Sequence, residues 1–248
     1  MANFEQKVLV IGDSCLDNFV YGTCDRVCPE APVPVFKTSR TEITSGMAKN
    51  VAHNLDVLGI PNDCITNKEK IIKNRYIDTK SGQLVIRVDE FDECPPIEHN
   101  IFMAVNWVEY DLVVISDYCK GFLSEKDIAT ICQHHSNVFL DTKKILGDWV
   151  LGVHTLKINE TEYNTNKKYL DKYFPKDRLI ITLGDKGCEY NNKIYPIEAQ
   201  EVKNSSGAGD AFLSGLIKGY LKTKDLKDSI KYAQESAAIV VSKITPGL

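Results

Sequence analysis

Val8-Leu9-Val10-Ile11 is an unbroken run of β-branched and leucine residues close to the amino end. A strand with one wet face alternates apolar and polar residues, whereas a continuous apolar run of this length suits a strand covered on both faces. Runs of the same kind return at Leu112–Ile115, Val138–Leu140, Thr155–Ile158 and Leu179–Thr182. Helical patterns lie between them. Ala48–Leu58 sets Val51, Leu55 and Leu58 on one face, and Glu125–His134 follows Ser124-Glu125-Lys126-Asp127, which resembles a capping box. Two helices close the chain: one carries Phe212, Leu213, Leu216, Ile217, Tyr220 and Leu221, and the other runs from Asp225 to Ser242. Strands alternating with helices predict an α/β fold with a mostly parallel sheet and right-handed crossovers.

One region breaks the rhythm. Ala31–Lys37 (APVPVFK) carries two prolines among its apolar positions, which fits only an edge strand or an extended arm. Asn74–Thr79 and Gln83–Asp89, split by Lys80-Ser81-Gly82, read as a hairpin. Together these segments, around 14–43 and 72–90, predict a small β lid on the main domain.

The 248 residues are expected to form one domain, 1–248, large enough to fold without disulfides or a structural metal. Thirty basic against 34 acidic residues leave a net charge of −4, which argues against nucleic acid as a partner. No apolar run approaches the ~18 residues of a membrane span, so no membrane partner is expected. The amino end (MANFEQKVLVIGD) holds Glu5 and no stretch of signal-peptide length, so a cytoplasmic location is expected. The eight cysteines are scattered; only Cys24 and Cys28 are close, with no second pair at zinc spacing, so reduced thiols are expected. His134-His135 are adjacent on a helix, point in different directions, and read as surface residues rather than metal ligands.

The sharpest local signal is Asn204-Ser205-Ser206-Gly207-Ala208-Gly209-Asp210, directly before an amphipathic helix. Small residues let a ligand approach the backbone, and the unpaired N–H groups and dipole of a helix start favour an anion. Gly207, Ala208 and Gly209 are therefore candidates to hold a developing phosphate charge. Asp210 lies in the first turn, where the dipole favours its ionised form, and is a candidate base for an attacking hydroxyl. The heptapeptide alone reads equally well as a loop with an aspartate in the helix's first turn.

Gly-Ala-Gly-Asp at a carboxy-terminal helix start resembles the signature of the PfkB, or ribokinase-like, carbohydrate kinases. Further segments resemble that family in the same order: Gly12-Asp13-Ser14-Cys15-Leu16-Asp17, Gly46-Met47-Ala48-Lys49-Asn50, Asn159-Glu160-Thr161-Glu162 and Thr182-Leu183-Gly184-Asp185-Lys186-Gly187. The resemblance spans nearly the whole chain. It implies a ribokinase-like three-layer α/β/α sandwich, with ATP as co-substrate and Mg2+ as cofactor. It assigns Asp13, Asp17, Gly46 and Asn50 to the sugar, Asn159, Glu162, Thr182, Gly184 and Gly187 to the nucleotide, and Glu162 indirectly to magnesium.

Within the family, Arg26–Val35, Ser116-Asp117-Tyr118-Cys119-Lys120-Gly121, Gln83–Asp89 and Asp141-Thr142-Lys143 resemble the branch that phosphorylates D-glycero-D-manno-heptose 7-phosphate at its anomeric hydroxyl. That likeness adds Lys143 to the nucleotide side. A sugar phosphate also needs a cation, for which Arg87 and Lys120 are the candidates; each has the alternative of being an ordinary surface residue. The branch is often fused to a nucleotidyltransferase, and the resemblance covers the kinase part alone. Because the family's lid often pairs between subunits, a homodimer through the lid is implied.

Three departures stand out. Between Gly59 and Asn74 the family usually interposes another strand and helix, so the sheet is expected to be thinner at one edge. Asn204 replaces an aspartate linked to a monovalent-cation site, which leaves that cation doubtful. Met47 replaces a second glycine beside the sugar and is expected to narrow the pocket or change which sugar fits. Alternative readings are a PfkB kinase for another hexose or pentose, and a sugar- or nucleotide-binding regulator with weak catalysis.

Overall fold

The computed structural model describes residues 5–197 and 206–242. The order is β1 (Val8–Gly12), β2 (Ser14–Val27), β3 (Pro34–Met47), α1 (Ala48–Val57), β4 (Asn62–Thr66), β5 (Ile71–Asp78), β6 (Leu84–Glu90) and α2 (His99–Met103). It continues with β7 (Leu112–Asp117), α3 (Glu125–His134), β8 (Val138–Thr142), β9 (Thr155–Asn159), α4 (Glu160–Tyr173) and β10 (Leu179–Thr182). A short pair, β11 (Cys188–Tyr190) and β12 (Lys193–Tyr195), precedes α5 (Ala208–Thr223) and α6 (Leu226–Val241).

The main sheet has eight strands in the order β12-β11-β10-β9-β8-β7-β1-β4. The pairings from β4 through β10 are parallel, and β11 and β12 add an antiparallel edge. The side-chain period of a strand divides the core into two layers. Val8 and Val10 join Val51, Leu55, Leu213, Leu216 and Ile217 in one apolar cluster, whereas Leu9 and Ile11 join Ile128, Ile131 and Leu170 in the other. Helices α1, α5 and α6 therefore cover one face and α3 and α4 the other, which is the expected three-layer sandwich. Ser124 caps α3 through a complete capping box with Asp127, as its sequence indicates.

The second sheet has the order β3-β2-β5-β6 and takes up the segments expected to form a lid. Of the proline-bearing stretch, Ala31–Val33 with Pro32 form the bend before the edge strand β3, and Pro34 is that strand's first residue, where a missing N–H costs no ladder bond. β2 and β3 are 14 residues each, far longer than the apolar signal around Ala31–Lys37. Between Gly59 and Asn74 the chain forms only β4, at the main sheet's edge, before entering β5. The side chain of Asn67 spans this junction, accepting from Ser14 N at 2.7 Å and donating to Ser14 O at 3.1 Å.

Helices α5 and α6 meet at glycines. A Cβ on Gly219 would lie 2.6 Å from Ser229 Cα, and one on Gly215 would lie 2.4 Å from Tyr232 O. Gly219→Val is expected to lower stability by about 2 kcal/mol, because overpacking outweighs the gain in helix propensity. The midpoint of chemical denaturation reads this directly; an unchanged or raised midpoint contradicts the close approach.

Candidate active site

The carboxyl ends of the parallel strands converge on one corner, the usual ligand-binding edge of an open α/β sheet. A cavity of about 300 Å3 opens there, between the main sheet and the lid. From the sheet side it is lined by Asp210, Gly207, Asn50, Met47, Tyr118 and Lys143, and from the lid side by Asp17, Lys73, Arg75, Arg87, Asp89 and Asp92. Lys120 also lines it.

Asp210 lies in the first turn of α5 and is 4% exposed. Asn50 Nδ2 donates to its Oδ2 at 2.7 Å, and the Tyr118 hydroxyl donates to its Oδ1 at 2.7 Å. Burial raises its carboxyl to about 6, although both donors and nearby Lys157 favour the charged form. Desolvation thus outweighs the helix dipole, which favours the ionised form. The group still ionises near neutrality. Gly207 caps α5 in the left-handed region at φ 78° and, as a glycine, supplies no capping side chain. The first N–H groups of α5, including those of Ala208 and Gly209, thus have no carbonyl within the helix and can receive an anion.

Lys157 was missed in the sequence. It sits on β9 with 5% exposure and donates to Asp141 at 2.6 Å. Burial works against its charge, but Asp141 and its neighbours prevail and hold the ammonium above the usual lysine value. A Cβ on Gly209 would come within 3.3 Å of Lys157 Nζ, so glycine leaves space between this cation and the helix end. The available signal was a lysine inside the otherwise apolar run Thr155–Ile158.

The lid side holds a ladder of ion pairs. Arg75 binds Asp17 at 2.9 Å, and Lys73 lies 3.0 Å from both Asp89 and Asp92. Arg87 pairs with Asp89 at 2.9 Å and Lys120 with Asp92 at 2.5 Å. Burial alone would raise Asp89 and Asp92; the surrounding ammonium and guanidinium groups outweigh it and hold both below the usual carboxylate value. Lys73 and Arg75 were also missed, because their pairing follows from strand register rather than from any local motif. Gly46 lies under this ladder, where a Cβ would fall 2.4 Å from Asp17 Oδ2.

Asp13 stands apart from the cavity. It is fully buried, and its oxygens accept from Tyr118 N at 2.7 Å and from Lys120 N and Phe122 N at 3.2 Å. Its carboxylate is engaged by the 118–122 turn and by Cys94 Sγ at 3.9 Å, and it lies outside the cavity lining. Asn159, Glu162, Thr182, Gly184 and Gly187 lie along the strand ends outside the cavity lining. Asn159 and Glu162 form the capping box of α4, with Glu162 Oε2 accepting from Asn159 N at 2.8 Å. Burial and the Asp141 charge raise the Glu162 carboxyl. Gly187, at φ 92°, lets the turn after β10 pass close to Tyr195 O, where a Cβ would lie at 2.1 Å. Asn204 and Pro246-Gly247-Leu248 lie outside the described residues.

A profile described as pfkB family carbohydrate kinase matches residues 106–247, more than half of the chain and the part that carries Asp210. The chain belongs to this family. Among curated relatives, the "Bifunctional protein HldE" of Nitratiruptor sp. is 31% identical over 96% of this chain, and that of Campylobacter curvus 30% over 96%. This chain covers 62% of the length of either relative. The first alignment runs to 289 positions against 248 residues here, so that relative carries segments this kinase lacks. Among solved structures, a ribokinase from Thermotoga maritima superposes with a TM-score of 0.71 at 15% identity, covering 98% of this chain and 95% of that one. Phosphofructokinase-2 from Escherichia coli, in complex with potassium, gives 0.71 at 12% identity, covering 98% and 94%. These likenesses place the fold as ribokinase-like.

With Asp210 taken as the proton acceptor, as the sequence resemblance implies, its ionisation is expected to set an acid limb in turnover. Only the carboxylate accepts a proton, so kcat/KM is expected to fall about tenfold per pH unit below pH about 6 and to level off above it. A pH–rate profile flat down to pH about 4.5 would remove Asp210 as the acceptor.

Proposed function

We propose that the chain transfers the γ-phosphoryl group of ATP to the anomeric hydroxyl of D-glycero-D-manno-heptose 7-phosphate or a closely similar sugar phosphate. The supporting observation is the polarity of the cavity: a buried carboxylate at one side, and Lys73, Arg75, Arg87 and Lys120 at the lid side. A sugar phosphate needs both, a base at its reacting hydroxyl and cations for its phosphate. The HldE relatives and the resemblance of Ser116–Gly121 and Gln83–Asp89 to the heptose branch favour the same class.

In the proposed reaction Asp210 takes the proton of the sugar hydroxyl as its oxygen attacks the γ-phosphorus. The new P–O bond forms, the bond to the β-phosphate oxygen breaks, and ADP leaves with that electron pair. The helix end at Gly207–Gly209, with Lys157 and Lys143 beside it, neutralises the charge that spreads over the transferring phosphoryl oxygens. Asn159, Thr182, Gly184 and Gly187 are assigned to the nucleotide. Among the described residues there is no group of three or more His, Cys, Asp or Glu able to hold a metal. Magnesium usually arrives on nucleotide phosphates and needs one or two protein carboxylates, of which Glu162 would supply one. Magnesium when bound would neutralise phosphate charge.

Met47 favours a second reading, a kinase for a smaller sugar. It lines the cavity and takes φ 60°, a region that favours glycine, so a side chain stands in the cavity wall where glycine would leave more room. A homodimer through the lid is part of the proposal. It is supported by the edge strand β6, where Leu84 and Ile86 are 53% and 54% exposed. No helix among the described residues is long and apolar enough to cross a membrane.

Turnover with ATP and a panel of heptose 7-phosphate, hexoses, pentoses and their phosphates tests the substrate class. Heptose 7-phosphate is expected to give the highest kcat/KM; preference for an unphosphorylated hexose would favour the Met47 reading. Asp210→Asn is expected to lower kcat by about 10²–10⁴-fold with ATP binding retained. ATP binding with no ADP release from any sugar in the wild-type protein would instead mark a regulator. Replacing Arg87 or Lys120 by Ala should raise KM for the phosphorylated sugar far more than for its unphosphorylated analogue. Equal effects on both would remove that residue from phosphate binding.

A further inference from the structure

Tyr118 joins three parts of the site that the sequence treats separately. Its hydroxyl donates to Asp210 Oδ1 at 2.7 Å, and the ammonium of Lys143 lies 4.3 Å from the centre of its ring. Its own backbone N–H is bound by buried Asp13 at 2.7 Å. The turn that carries it has little freedom. Asp13 also accepts from Lys120 N and Phe122 N, while Asp117, 1% exposed, accepts from Cys119 N at 3.1 Å, Thr142 Oγ1 at 2.5 Å and Lys144 Nζ at 3.1 Å. A Cβ on Gly121, at φ 108°, would meet Cys94 O at 2.6 Å, so the turn also packs tightly from outside.

We infer that Tyr118 is a positioning residue for phosphoryl transfer: its hydroxyl fixes the Asp210 carboxylate while its ring seats the Lys143 ammonium, and buried Asp13 fixes Tyr118. The inference rests on Asp210 being the base. Base and cation are then set relative to each other by a single rigid side chain, which matters because transfer depends on placing the attacking oxygen and the phosphoryl within a fraction of an ångström. Each Asp210 oxygen keeps a lone-pair direction for the sugar hydroxyl after accepting one bond from Asn50 or Tyr118. Burial and the Asp210 charge raise the phenol well above its ordinary value, so it stays protonated and keeps donating. The other groups acting on Asp210 are Asp141 from β8 and Lys157 from β9, with Cys15 of β2 and Lys143 sharing the cavity wall or its edge. Removal of the Tyr118 hydroxyl leaves these in place.

Tyr118→Phe keeps the ring and removes only the donor. It is expected to lower kcat by about 10–100-fold, the usual weight of a hydrogen bond to a charged group, with KM for ATP and sugar changed less than threefold or so. The sign of the pH effect follows from the lost donor: it stabilised the charged carboxylate, so the acid limb of kcat/KM moves up by about one pH unit. A residue with only a packing role would change the melting temperature and leave that limb in place. Site-specific 3-fluorotyrosine at position 118, a stronger donor of nearly the same shape, should move the limb down; it keeps the test valid should the Phe variant fold poorly. A Phe variant with kcat within twofold and an unmoved limb, or a fluorotyrosine protein with an unmoved limb, overturns the inference. Asp210→Asn, run alongside, separates the two claims. If it retains turnover, the base itself is misassigned and the role of Tyr118 falls with it.

Discussion

Keeping one buried carboxylate chargeable organises the end of the sheet. Asp210 is almost fully enclosed, and an ionised group in such a place is unstable unless donors and cations meet it. Asn50 arrives from α1 and Tyr118 from the turn after β7, while Lys157 comes from β9. Three elements far apart in sequence must be docked for the carboxylate to ionise near neutrality. The site is therefore a readout of the packed fold, not of the glycine-rich heptapeptide alone.

The lid obeys a related constraint. Lys73 is nearly buried, and a lone ammonium there would be costly, so Asp89 and Asp92 flank it. Arg87 shares Asp89 with it and Lys120 shares Asp92, while Arg75 pairs with Asp17. The cations are thus held in place by protein carboxylates. An anionic ligand entering this end meets preplaced positive groups whose present partners are themselves anions, which makes its affinity depend on exchange among negative charges rather than on capture by free cations.

The parts of the fold that were legible in the sequence are those in which burial is symmetrical. Strands β1, β7 and β8 are covered throughout and read as continuous apolar runs, and Ser124 with Asp127 marks the start of α3. Helix α4 was invisible because it buries only Asn166 and Leu170, leaving no apolar stripe to count. β2 was legible only in outline, since its inner half is buried and its outer end exposed, with a register shift between. In the site, Asp210, Asn50, Asp17, Arg87 and Lys120 line one cavity, and Lys143, expected on the nucleotide side, lines it too. Tyr118, Lys157, Lys73 and Arg75 were not legible because their importance lies in partners supplied by other strands. Asp13 and Asp17 are alike as residues; their different places follow from the path of the backbone, with Asp13 pinned beneath a turn and Asp17 on the ligand side of a strand.

The Asn67 side chain has a mechanical consequence. It clasps both the N–H and the C=O of Ser14, so the outgoing strand and the returning connection are fastened together at the base of the lid. A plate riveted at both roots tilts as one body about a single axis and resists shearing between its strands. The shortness of the link from β4 to β5 is what allows one asparagine to supply that rivet.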